Sequence, residues 1–111
     1  MTGWEYQQEA QRTANPDLDN AEKLKNGVMG LCGEAGECAD LVKKWAYQGH
    51  DEGETKDKLT EELGDVLWYA AETATALGTT LDEIMLINIA KLRARYPEGF
   101  DAERSMHREE E

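Results

Sequence analysis

Residues 24–45 read LKNGVMGLCGEAGECADLVKKW, and this stretch decides the fold. Leu24, Val28, Leu31, Ala35, Cys38, Val42 and Trp45 recur at alternating spacings of four and three, which places them on one stripe of a long helix. A stripe of that period predicts a bundle helix. Glu34 and Glu37 lie beside the stripe, three residues apart, so their carboxylates leave one face on adjacent turns. The device returns in TEELGDVLWY, residues 60–69, where Glu62 and Asp65 are again three apart beside apolar positions. On antiparallel helices the two pairs form one four-carboxylate cluster. Crowded like charges repel unless a cation joins them, so Glu34, Glu37, Glu62 and Asp65 are the predicted metal ligands. Oxygen donors without His or Cys suit a hard cation, Mg²⁺, with Mn²⁺ as a substitute.

The rest of the chain agrees with a helical reading. It has 111 residues, enough for one domain and one modest core, with 40% hydrophobic residues and two prolines, Pro16 and Pro97. Ala, Leu, Glu and Lys are plentiful and favour helix, and no stretch alternates long enough to predict a strand. A net charge of −12 disfavours nucleic acid and anionic membrane as partners. It leaves room for a small phosphorylated ligand, because a bound divalent cation reverses the local field. The first residues lack a basic segment followed by an apolar core, and the apolar run 84–90 is too short to span a bilayer. Cys32 and Cys38, six apart on one helix, would lie about 9 Å from each other, too far for a disulfide. A cytoplasmic location is the simplest expectation.

Punctuation divides the chain into four helices. A short first helix covers residues 4–13 and stops at Asn15-Pro16. Asp19, with Glu22 three positions on, caps the long second helix, which runs to about Gln48 with Gly49 after it. Thr55 is the expected cap of a third helix over 56–77, with the stripe Leu59, Leu63, Val66, Ala70, Thr73 and Leu77. Thr80 and Glu83 form a capping box for a fourth helix from Leu81 to about Tyr96, stopped by Pro97 and Gly99. The domain is expected over 1–100, followed by a charged, flexible tail over 101–111 that ends in Glu109, Glu110 and Glu111. Gly27, Gly30, Gly33 and Gly36 recur every three residues in the second helix, each costing about 1 kcal/mol against Ala. A kink, a close approach to another helix or ligand, and a break in the helix all fit them. Leu41 and Leu67 fall outside the main stripes, so these helices are expected to bury surface against another subunit, as a homodimer or a dimer of dimers.

Other polar positions share the faces of the acidic pairs. Helical projection puts Asn26 and Lys44 on the Glu34/Glu37 side, and Lys58, Tyr69 and Glu72 on the Glu62/Asp65 side. Asn88, Lys91 and Arg95 form a stripe on the last helix. Lys91 and Arg95 suit phosphate oxygens or, alternatively, a solvated helix C-terminus. Asn88 interrupts the apolar run IMLINIA and calls for a hydrogen-bonding partner, whether a ligand or the protein itself. Asn26, Lys44 and Lys58 are further candidates for a phosphate tail or its supporting shell. Trp4, Trp45, Trp68 and Tyr69 read first as core or interface aromatics.

Three segments, GEAGE (33–37), EELGDVLWY (61–69) and NIAKLRARYPEGF (88–100), resemble the MazG-like branch of the all-α nucleoside triphosphate pyrophosphohydrolases. The resemblance runs from about residue 22 to residue 100. The family pattern is E-E-x-x-E, a spacer, then E-x-x-D. Here Gly33 stands at its first position, and Glu34, Glu37, Glu62 and Asp65 match the others. The departure leaves both spaced pairs intact, and leaves open whether a supporting carboxylate is missing and how the attacking water is activated. The resemblance implies an all-α, four-to-five-helix protomer completed by oligomerisation. It also implies Mg²⁺-dependent cleavage of nucleoside or deoxynucleoside triphosphates between the α and β phosphates. Glu34 or Glu37 would then take the proton of the attacking water, and Lys91 and Arg95 match basic positions that look like phosphate ligands. The rival expectation is a non-enzymatic helical homo-oligomer whose acidic pairs only solvate its surface.

Overall fold

The computed structural model describes residues 1–107 and contains five helices among them: α1 (Gly3–Gln11), α2 (Asn20–Gln48), α3 (Glu52–Ala76), α4 (Leu81–Arg95) and α5 (Ala102–Met106). The fold is all-α, as the periodicities predict. Each helix starts at a side-chain cap. The Thr2 hydroxyl accepts the Glu5 N–H at 3.0 Å, and the Asp19 carboxylate accepts that of Glu22 at 2.9 Å. Thr80 accepts from Glu83 at 3.1 Å, and Asp101 opens α5 inside the expected tail. The stops are equally local: Gly49 and Gly78 take left-handed φ values of 72° and 73°, which an L side chain resists. The acidic run 109–111 lies outside the described residues.

One expected boundary moves. Asp51, not Thr55, caps α3, its carboxylate accepting the Glu54 N–H at 2.9 Å. A carboxylate also favours the positive end of the helix dipole. Thr55 lies inside the first turn, buried, with its hydroxyl donating to the Asp51 carbonyl at 2.7 Å.

Helices α2 and α3 form an antiparallel hairpin, and the glycines explain its closeness. A Cβ at Gly27 would overlap the Thr73 hydroxyl, and one at Gly30 would overlap the Tyr69 ring. Close approach is therefore the use of these two, and α2 runs unbroken through all four glycines. Gly33 and Gly36 have open space where a side chain would stand. Asn26, Gly27, Gly30 and Glu34 of α2 thus meet α3, while Leu24, Leu31 and Cys38 of the apolar stripe are half-buried. Much of that stripe points outward: Val28 is 46%, Val42 41% and Trp45 43% exposed.

The small core lies at the other end, where α1 crosses α3 and the start of α4. It consists of Ala71, Ala74 and Leu81, with Tyr6, Ala10 and Ala70 packed against it. Gln7, 2% exposed, ties the three helices together. Its amide nitrogen donates to the Thr75 hydroxyl and the Thr79 carbonyl, both at 3.0 Å, and its carbonyl accepts the Leu81 N–H at 2.8 Å. Beyond this anchor α4 projects with little cover: Leu86 is 68% and Ile87 60% exposed. The radius of gyration, 17.1 Å, exceeds the roughly 13 Å expected of a compact chain this long. Three buried apolar residues beside so many exposed ones describe a protomer whose apolar faces remain open.

Candidate metal centre

Glu34 of α2 faces Glu62 and Asp65 of α3, and one carboxylate oxygen from each lies within 4.8 Å of the others. The i,i+3 spacing sets Glu62 and Asp65 on one side of α3, and the Gly27 and Gly30 approach brings α2 close enough for Glu34 to meet them. Glu34 and Glu62 are half-buried, and Asp65 is open to solvent. Three carboxylates gathered this way are electrostatically unsatisfied. The facing Glu34 carboxyl raises the Glu62 pKa above its ordinary value, helped by desolvation and by the nearby Asp65 charge. The Oε2 atom of Glu62 is shielded from solvent and has no hydrogen-bond partner. An orphaned oxygen and mutual repulsion in an all-oxygen set fit a hard divalent cation.

Glu37, one turn farther along α2, is exposed and stands outside the close trio. Its charge acts on Lys44, whose ammonium pairs with Asp40 at 2.8 Å. Lys58 is exposed and makes no ion pair among the described residues. Asn26 donates its side-chain amide to buried Glu72 at 2.9 Å. Asn88, expected to be buried, is exposed on the uncovered part of α4. Lys91 is exposed there too, and no ion pair joins it to the carboxylates of α2 and α3. Arg95 is half-buried, with its carbonyl accepting from Arg104 at 3.1 Å.

Beside the trio opens a cavity of about 360 Å³ lined by Thr13, Glu34, Asp65, Trp68 and Tyr69. That volume is in the range of small-molecule sites. The two aromatics meet edge to face, with centroids 5.0 Å apart and planes at 85°. The Trp68 indole N–H donates to the Ala10 carbonyl at 3.1 Å and to the Thr13 hydroxyl at 2.9 Å, fixing the end of α1 beside the cavity. Tyr69 is held from the other side by the gap at Gly30. Sequence reasoning read Trp68 and Tyr69 first as packing aromatics, put Tyr69 on the Glu62/Asp65 side by projection, and missed Thr13, which carries no local signal. Tyr6 of α1 is half-buried, and burial together with the Asp65 charge raises its pKa.

An all-α hairpin that gathers three carboxylates beside a cavity of about 360 Å³ defines a class, helical proteins with a carboxylate-lined candidate metal site. Residues 22–100 match the MazG nucleotide pyrophosphohydrolase domain, and the chain belongs to that family. Its activity class is therefore hydrolysis of nucleoside triphosphates by a pyrophosphohydrolase. The chain is also 42% identical over 85 residues to the Gene 37 protein of Mycobacterium phage L5, covering 75% of each protein. No solved structure matches it. Among the described residues no helix is long and apolar enough to cross a membrane.

Proposed function

We propose that the protein hydrolyses nucleoside or deoxynucleoside triphosphates between the α and β phosphates in a Mg²⁺-dependent reaction, giving monophosphate and pyrophosphate. The convergence of Glu34, Glu62 and Asp65 within 4.8 Å, with a solvent-shielded and unpartnered Glu62 oxygen, carries this reading. Glu34, Glu62 and Asp65 would hold the cation, and Glu37 would add a ligand from the next turn. A divalent cation held by these residues would supply charge neutralisation for the triphosphate. Glu37, exposed one turn from Glu34, would take the proton of the attacking water. The cavity between Thr13, Trp68 and Tyr69 accepts the nucleoside portion.

Lys91, Arg95 and Asn88 enter this reading through a second copy of the chain. Their helix is open over most of its length, and its basic end complements an acidic cluster that lacks cations of its own. A homodimer, or a dimer of dimers, covers α4 and the outward stripe of α2 while bringing the basic end of one protomer toward the carboxylates of its partner. Lys44 and Lys58 remain candidates for the outer end of the triphosphate.

A panel of NTPs and dNTPs with Mg²⁺, followed by separation of products, tests the reaction. Pyrophosphate with monophosphate is the expected result, and release of orthophosphate alone would overturn it. Glu37→Gln and Asp65→Asn should each lower kcat at least a hundredfold, and activity unchanged in both would remove the proposed site.

A further inference from the structure

Two turns along the hairpin from the carboxylate trio lies a buried charge that the proposed reaction does not use. Glu72 is 3% exposed. One of its oxygens accepts the Asn26 amide at 2.9 Å, and the other is buried without a partner. No ion pair among the described residues neutralises it. An apolar pair would fill this rung of the hairpin without desolvating a carboxylate. Its chemical consequence falls on Asn26. A carboxylate only accepts, so Asn26 turns its amino group inward, and its side-chain carbonyl is left as an acceptor on an exposed residue.

The pair sits in register with the candidate site. Successive rungs from α2 to α3 are Asn26 with Glu72, Gly27 with Thr73, Gly30 with Tyr69, and Glu34 with Glu62 and Asp65. Tyr69 lines the cavity that holds Glu34 and Asp65, and Asn26 is one turn beyond the glycine on which that ring rests. Asn26 and Glu34 are about 12 Å apart along α2 at the ordinary helical rise. For a nucleoside seated in that cavity against Tyr69, Asn26 is the next polar residue along α2 beyond Gly30.

We propose that Asn26 is a specificity contact accepting a hydrogen bond from an N–H or O–H donor on the nucleoside, with buried Glu72 as the positioning residue that turns it. This rests on the nucleotide hydrolysis proposed above. Beneath Asn26 lies a carboxylate, which suits a donor and repels a phosphate.

Steady-state kinetics of the full chain with Mg²⁺ test it, using ribo- and deoxyribonucleoside triphosphates of all four bases. Asn26→Ala should raise KM for the preferred substrate about tenfold, the loss of one hydrogen bond, with kcat within about twofold. It should also flatten the preference. Flattening among bases assigns the donor to the base edge, and flattening between sugars assigns it to a hydroxyl. Glu72→Gln, whose carbonyl still accepts from Asn26, should keep the preference. Glu72→Met should lose it, with Asn26→Ala/Glu72→Met no worse than Asn26→Ala. If Glu72→Met fails to fold, the comparison of Asn26→Ala with Glu72→Gln decides alone. An unchanged order of substrates in folded Asn26→Ala overturns this inference and leaves the hydrolysis standing. No pyrophosphate from the unsubstituted chain with any substrate overturns both.

Discussion

Replacing Gly30 with Ala sets two effects of opposite sign against each other. In a helix interior Ala is favoured over Gly by about 1 kcal/mol, so the local term stabilises. At Gly30, however, the new Cβ would overlap three atoms of the Tyr69 ring. The ring has little room to retreat, since Trp68 meets it edge-on and is itself held by hydrogen bonds to Ala10 and Thr13. Overpacking of this kind costs about 1–3 kcal/mol, and separating α2 from α3 would also loosen the Glu34–Glu62–Asp65 trio. The expected net effect is a loss of up to about 2 kcal/mol, 1–3 less the propensity gain of about 1. Gly36→Ala is the control, because its side chain would meet open space in the protomer and should gain up to about 1 kcal/mol. Urea unfolding at one fixed protein concentration measures both, with Mg²⁺ titrated afterwards into each variant. Gly30→Ala more stable than the unsubstituted chain, with Mg²⁺ affinity intact, would refute the packing argument. A loss at Gly36 that grows on dilution would instead place that face of α2 against a second copy.

Gln7→Ala removes three hydrogen bonds and leaves the buried Leu81 N–H unpaired, so thermal unfolding should show a loss of about 2–4 kcal/mol. A loss below about 0.5 kcal/mol would show that α1 does not anchor α4. Without divalent cation, the raised Glu62 pKa makes its ionisation in the folded state unfavourable. That penalty is absent below the ordinary carboxylate pKa and complete once pH has risen through the raised folded value. Glu62→Gln should therefore be more stable than the unsubstituted chain at neutral pH without metal, with the gap closing on acidification. Saturating Mg²⁺ should reverse the order, and thermal shifts across pH with and without Mg²⁺ would reveal a Glu62 that behaves otherwise. Leu86→Glu/Ile87→Glu, on the uncovered side of α4, should give a smaller particle by light scattering with at least tenfold lower activity. An unchanged particle mass would exclude α4 from the subunit interface.

Helix type, order and ends were legible in the sequence because they depend on short-range chemistry. Capping side chains act on amides three residues away, as Asp19 does on Glu22, and left-handed glycines stop α2 and α3 within a residue or two. The one misplaced cap shows the limit, since Asp51 and Thr55 both qualify as caps and competition between them is settled by the whole first turn. The acidic pairs were legible for the same reason: i,i+3 spacing puts two carboxylates on one face of any helix. Which of them meet was decided by tertiary packing. The trio of Glu34, Glu62 and Asp65 depends on how far the glycines let α2 approach α3, and Glu37 stays outside it through the turn of α2 at that point. The apolar stripe gave the helix but named no partner for it. A stripe records that a face is to be covered, but not by which surface, so Val28, Val42 and Trp45 stand open while small and polar residues line the hairpin. Thr13 reaches the cavity only because the Trp68 indole binds the end of α1, a contact spanning 55 residues that no local pattern encodes.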